Sequence, residues 1–378
     1  MINDLVSIIV PVEDFNKFPQ KTIDSIINQS YNNIEIIIVV SDATQEQRYS
    51  AKELQKDIPR LRFEFVESCN FLAKRNHGIR CCYGKYIAFV DEGDIIEPEM
   101  IRTMFTAMEK NEAQLCICNA IRERNGESHL QFNHKDAVIP LDDKEEYIIS
   151  YMLRPVHAYC VWNKMYKASL VRENLIHFND EKEIYPEDMD FNLRYISFCN
   201  KVVWLGEPLY RHIVNIDENT DVHRENIVRR YINCCNEYRK FLMKNELIDK
   251  LENVYYMMLN WNIINSVQSA VRDNKETNYE IYTALEDALK TVANIKNILV
   301  KKYYSSLALN YNVNYLVCLG KYEKYVKKIR ELMENGKVDD LFIMKKKFNL
   351  KDRLNEKEDQ KTNLFSLTSD IKLKFFTM

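Results

Sequence analysis

Five short apolar runs rich in β-branched residues constrain this chain more than any other feature. They are VSIIV (6–10), IEIIIVV (34–40), RFEFV (62–66), YIAFV (86–90) and LCIC (115–118). Helical patterns separate them. Ile23, Ile26 and Ile27 make one face between the first two runs, and Met100, Met104, Phe105 and Met108 make another between the last two. Nearly continuous apolar strands spaced by amphipathic helices predict an α/β fold with a mainly parallel sheet covered on both faces. In such sheets ligands bind beyond the carboxyl ends of the strands. The fourth run delivers its end directly into acids, in FVDEGDIIEP at 89–98, so a site is expected there.

Proline marks the limit of this pattern. All 8 prolines lie at or before Pro208, and only Gly320 and Gly336 interrupt the rest. Both residue types break helices, so their scarcity predicts a long helical region. Apolar residues recurring at three- and four-residue steps in EYRKFLMKNELIDKLENVYYMMLNWNIINSV support it. The expected division is 1–220 for the α/β part (1–120 and 121–220 as its halves), 221–350 for an all-helical domain, and 351–378 for a charged and amphipathic tail. In that tail Leu364, Phe365, Leu367, Phe375 and Phe376 stand beside Lys372 and Lys374, a composition suited to packing on the body or touching a membrane surface.

Hydrophobic content of 46% suffices for a core, and a formal net charge of -3 argues against a protein built to coat nucleic acid. The first residues, MINDLVSIIVPVED, lack a basic n-region and read as a first strand rather than a signal peptide. No apolar run reaches the ~18 residues of a membrane span. The 10 cysteines form no CxxC and read as reduced core thiols of a cytoplasmic protein, with no zinc site expected.

No GxGxxG follows the first strand, and neither GxxxxGK[ST] nor G-x-S-x-G occurs, which disfavours dinucleotide, P-loop and serine-hydrolase chemistry. What remains is an ordered set: VSIIVPV, TIDSIINQSYNNIEIIIVV, AKRNHGI and GKYIAFVDEGDIIEPEMI, then VWNKMYKASLV and YPEDMDFNLRYISFCNKVVWLGEPLYRH. Together, over roughly residues 5–215, these resemble the family-2 glycosyltransferases of GT-A fold found in bacteria. The resemblance implies an inverting transfer of a sugar from a nucleotide-sugar, UDP-linked by preference, to a hydroxyl of a growing surface glycan, free or lipid-linked. It implies Asp188 as general base with Glu187 beside it. It also implies donor contacts from Pro11, Val12, Glu13, Asp42, Arg75, Asn76, Asp91 and Glu92, and acceptor contacts from Trp162, Asn163, Lys164 and His212. The bland readings stand beside these: Trp162 in the core, His212 in a plain loop, Asp188 and Glu187 as helix N-terminal acids favoured by the dipole.

A Mn²⁺ or Mg²⁺ cofactor follows from the same resemblance, since a divalent ion neutralises a diphosphate leaving group. Its expected ligands are Asp91 and Asp94. Relatives carry a further acid where this chain has Gly93, which implies a weakened or atypical site. Glycine tolerates φ > 0, so a turn there could re-aim Asp94. Ser41 and Asp42 after the second strand, Glu13–Asp14 after the first, and His77 before Gly78 are further departures. An alternative reading follows from them: a non-catalytic, transferase-like subunit that stabilises an active partner. In either case the helical region offers a surface for a homo- or hetero-oligomer, and the inner face of the membrane is the expected place of work.

Overall fold

A computed structural model of the chain describes residues 4–252 except 14, 16–18, 68, 153–158, 182–183 and 215–226, together with 254, 255 and 258. Asp14, nearly all of the helical domain expected at 221–350, and the tail at 351–378 lie outside the described residues. One unit of the chain, Met1–Asp221 with Cys234–Val254, holds the sheet and the candidate site.

The five apolar runs are strands. β1 (Val6–Val12), β2 (Ile34–Ser41), β3 (Leu61–Val66) and β4 (Tyr86–Phe89) pair in parallel in the order β3-β2-β1-β4. Between them run α1 (Gln20–Ile27), α2 (Gln45–Asp57) and α3 (Phe71–Cys81). β1 is buried along its whole length, as expected of a central strand covered on both faces. The chain then forms β5 (Ile95–Ile96), α4 (Met100–Asn111), β6 (Leu115–Arg124), β7 (Glu127–Leu130), β8 (Ala137–Pro140) and α5 (Lys144–Met152). It continues through β9 (Lys164–Lys167), α6 (Ala168–Glu173), α7 (Glu187–Ile196), β10 (Lys201–Val214) and α8 (Ile227–Lys244).

The sheet continues β4-β9-β6-β10-β5. β9 runs antiparallel to both β4 and β6, so a reversed strand sits in the middle of the sheet, and the short strands β5, β7 and β8 are reversed at its far side. The predicted helix faces are the buried ones: Ile23 and Ile26 on α1, and Met100, Met104, Phe105 and Met108 on α4.

Two features aim the site. α3 lies so close on β1 that a Cβ at Gly78 would come within 2.4 Å of Ile9 Cγ2. Only glycine permits that approach, and it brings the N-terminal half of α3 over the end of β1. Phe89, the last residue of β4, packs edge-on against Tyr166, Phe178 and Phe191, and the Phe178 and Phe191 rings stack at 4.1 Å. This aromatic floor joins β4, β9 and α7. The described cysteines are free thiols, and most of them are buried.

Candidate active site

β4 ends at Phe89, and the chain turns immediately afterwards. The Asp94 N–H donates to the Asp91 carbonyl at 3.2 Å, and Gly93 between them has φ +92. A positive φ at the third position of a four-residue turn is glycine's niche. The Gly93 N–H donates to Thr22 Oγ1 at 3.1 Å, tying the turn to α1.

The turn separates its acids. Asp91 stays half-exposed at the strand end. Asp94 is turned inward and buried: Oδ2 accepts from the Tyr210 hydroxyl at 2.7 Å and from His212 Nδ1 at 3.3 Å, and Oδ1 accepts from the Ile213 N–H at 2.8 Å. Burial pushes the Asp94 carboxyl above its ordinary range, with His212 pulling it back. Asp94 is one of the two expected cation ligands; Gly93 re-aims it into β10, where both its oxygens accept hydrogen bonds. Glu92 folds back over the end of β1, accepting the Glu13 N–H at 2.6 Å.

Arg75 draws the centre together. Its guanidinium is buried, and its two terminal nitrogens donate to Asp188 Oδ1 and Asp91 Oδ1, each at 2.6 Å. The guanidinium also lies 4.5 Å from the Phe71 ring centroid and 5.2 Å from that of Phe178, positions that favour a cation over an aromatic face. Burial works against its charge, but Asp188 and Asp91 outweigh that, so Arg75 stays protonated.

Asp188 stands in the first turn of α7, where the helix dipole suits an acid. Burial raises its carboxyl above the usual range, Arg75 lowers it and Asp91 raises it further. The side chain keeps 19% of its surface, so it remains reachable, and Oδ2 has no hydrogen-bond partner among the described residues. Glu187, its neighbour, is half-buried at the start of the same helix.

The remaining expected residues divide clearly. Pro11 and Val12 close β1, and the Val12 carbonyl accepts from Lys74 Nζ at 2.8 Å. Asp42 is exposed just beyond β2 with φ +55, its N–H donating to the Val66 carbonyl at 3.2 Å. Asn76 is not aimed at a donor: its amide exchanges two 2.8 Å bonds with the Phe178 backbone, locking α3 to the segment before α7.

On the acceptor side, three of the four expected residues are buried. Asn163 and Lys164 are fully enclosed. Lys164 Nζ donates to the Cys160 carbonyl at 2.6 Å and to Asn163 Oδ1 at 2.7 Å, and the Asn163 amide reaches the Cys118 carbonyl at 2.7 Å. Trp162 is a core residue at 5% exposure, stacked on Tyr210 at 4.4 Å and on His212 at 5.1 Å. These three residues brace the floor from within the core. His212 remains half-exposed, with Nδ1 on Asp94 and Nε2 as its other ring nitrogen.

Sequence reasoning missed Tyr210 and Lys74. The Tyr210 hydroxyl accepts from the Asp91 N–H at 3.2 Å and donates to Asp94, so it spans the turn. Its position two residues before His212 in PLYRH was the only available signal.

No grouping of three acids, histidines or cysteines gathers at this turn among the described residues. Asp91 Oδ2 and His212 Nε2 have no hydrogen-bond partner among the described residues, while Asp94 and Glu92 are engaged. Two protein ligands fit a cation only if the substrate's phosphate oxygens and water complete its shell.

Residues 7–175 match the family described as Glycosyl transferase family 2. Streptococcus pneumoniae glycosyltransferase GlyA is 25% identical over 72% of this chain and 40% of its own length. EpsH of Bacillus subtilis is 29% identical over 60% of this chain and 63% of its own. The chain thus spans less than two thirds of the length of these two relatives. Among solved structures, S. aureus TarS 1-349 in complex with UDP-GlcNAc superposes with a TM-score of 0.61 at 18% identity, covering 76% of this chain and 81% of that one. At that identity the likeness speaks for the fold alone. Over residues 7–175, then, the chain matches a family-2 glycosyltransferase domain, and its fold is of the GT-A kind.

Proposed function

We propose that this protein transfers a sugar from a nucleotide-sugar, UDP-linked by preference, to a hydroxyl of a growing surface glycan, with inversion at the anomeric carbon. The observation that carries the reading is the bridge Asp91–Arg75–Asp188, in which one guanidinium holds an acid at the donor-side strand end and an acid at a helix start. A carboxylate with raised proton affinity suits a general base working near neutral pH. Asp188 Oδ2 takes the proton from the acceptor hydroxyl as that oxygen attacks C1. The bond from C1 to the diphosphate oxygen breaks, and the nucleoside diphosphate leaves with the electron pair. Arg75 keeps Asp188 oriented and compensates the charge of the two acids.

On the donor side, the end of β1 at Pro11–Glu13 and the exposed Asp42 offer the surface for the nucleotide. A divalent ion, when bound, would be held by Asp91 and His212 and would neutralise diphosphate charge. The UDP-GlcNAc carried by the TarS fragment is consistent with a UDP-linked donor here. The acceptor's identity, a working place at the inner membrane face and an oligomeric partner belong to this proposal as well. No described helix is long and apolar enough to cross a membrane.

Calorimetry with a panel of nucleotides and nucleotide-sugars, with and without Mn²⁺, tests the reading. Binding of at least one uridine nucleotide is expected. If no nucleotide binds, the chain is the non-catalytic subunit instead.

A further inference from the structure

Away from the bridge, α3 makes a second polar cluster against the edge strand β3. His77 and Cys81 stand four residues apart on α3, hence on one face, and Glu64 comes from β3. His77 Nε2 lies 3.3 Å from Cys81 Sγ and 3.4 Å from Glu64 Oε2. One ligand atom from each of the three falls within 4.8 Å of the others, the single such grouping of His, Cys and acid among the described residues. All three side chains are half-buried, and Cys81 is a free thiol.

The distances are those of weak hydrogen bonds, and they also suit an ion. An N–H···O bond is normally about 2.7–3.2 Å long, so 3.4 Å is slack. Zinc bonds of about 2.0–2.1 Å to N, 2.0–2.2 Å to O and 2.3 Å to S, set at tetrahedral angles, give edges of about 3.4 Å for N···O and 3.5 Å for N···S. The two His77 contacts therefore fall close to edges of a tetrahedron whose centre would hold the metal, and the third pair lies within 4.8 Å. The surroundings also resemble a ligand shell. Arg62 Nε approaches Glu64 Oε1 at 3.1 Å, an ion-pair distance although the N–H is not aligned for a hydrogen bond, and this leaves Oε2 for the cluster. Arg62 also donates to the Cys81 carbonyl, so one outer residue steadies two of the three ligands.

We propose that Glu64, His77 and Cys81 form a zinc site, with water in the fourth position, that staples α3 to β3. Imidazole and thiolate with one carboxylate are a donor set that suits zinc. Binding replaces the thiol proton with the metal and releases one H⁺. The staple lies two residues along α3 from Arg75, so it would steady the helix that carries the guanidinium of the bridge. The site is independent of the transfer reaction, and its test does not require turnover.

Full-length protein, stripped with chelator under reducing conditions, is titrated with Co²⁺ and then with Zn²⁺. One equivalent of Co²⁺ is expected to give visible tetrahedral bands and a thiolate charge-transfer band, both bleached by Zn²⁺. Cys81→Ser should abolish the charge-transfer band, and His77→Gln and Glu64→Gln should each weaken Zn²⁺ binding at least tenfold. A cation held by Asp91 and His212 has no sulfur ligand and gives no such band. Zn²⁺ should also raise the thermal midpoint of the parent chain and leave that of Cys81→Ser unchanged. No charge-transfer band at one equivalent overturns the proposal, as does a band that persists in folded Cys81→Ser.

Discussion

Arg75 reaches carboxylates 16 and 113 residues away in the sequence and holds both at 2.6 Å. Removing one member of a buried ion pair leaves an uncompensated charge, so Arg75→Gln is expected to cost about 3–5 kcal/mol of stability by chemical denaturation. The bridge also sets a pH dependence. The base must be ionised to work, so turnover should fall as pH drops through the Asp188 pKa. Because that pKa is raised, the acidic limb should lie above the ordinary aspartate value of about 3.9. Asp91 contributes to the rise, so Asp91→Asn should move the limb of kcat to lower pH, and a limb that moves upward would contradict the assigned coupling. The residue types at 75, 91 and 188 were legible in the sequence through their motifs. Their mutual bonds were not, because no local pattern records which distant carboxylates meet one guanidinium. Asp94 shows the same limit: alternation and a permissive glycine said that it would turn, but only β10 decides in which direction.

At the scale of elements, α3 is the part on which the site depends. It approaches β1 through Gly78, and a Cβ there would meet a side chain that is itself fully buried. Overpacking of this kind typically costs about 1–3 kcal/mol, so Gly78→Ala should lower the unfolding midpoint accordingly. Asn76→Ala removes two bonds to the Phe178 backbone and leaves a buried N–H and C=O unpaired, a loss of about 2–4 kcal/mol in denaturant titrations. Donor affinity measured by calorimetry should change less than threefold, and a larger change would return Asn76 to the donor contacts. Long apolar strands announced themselves in the sequence because burial on both faces leaves no other composition open to them. β5 has only two residues, too few for any period, and β9 was legible only as part of the VWNKMYKASLV motif. β6 extends to Arg124, well past LCIC, and its last four residues alternate half-buried and exposed, so no apolar run marks them.

For the whole molecule, the sequence resemblance, the mainly parallel sheet and the family match over residues 7–175 agree on one domain type. Of the helical region that the missing prolines predict, α8 and a few residues after it are described and the rest is not, so its role in holding an acceptor, a partner chain or a membrane surface rests on sequence pattern. The reduced ligand set at the turn makes a prediction at this scale. Chelation should weaken UDP binding modestly, within about tenfold, because two protein ligands hold an ion weakly and the nucleotide retains its contacts with β1. Loss of all UDP binding on chelation would mean that further ligands reach the ion. The central claim is that Asp188 is the base of a sugar transfer. The direct measurement is nucleoside diphosphate release from nucleotide-sugars by the parent chain and by Asp188→Asn, alongside donor affinity for both. The account predicts release by the parent from at least one nucleotide-sugar, about 10²–10⁴-fold less by the variant, and donor affinity unchanged within threefold. Equal rates in the two proteins would contradict it.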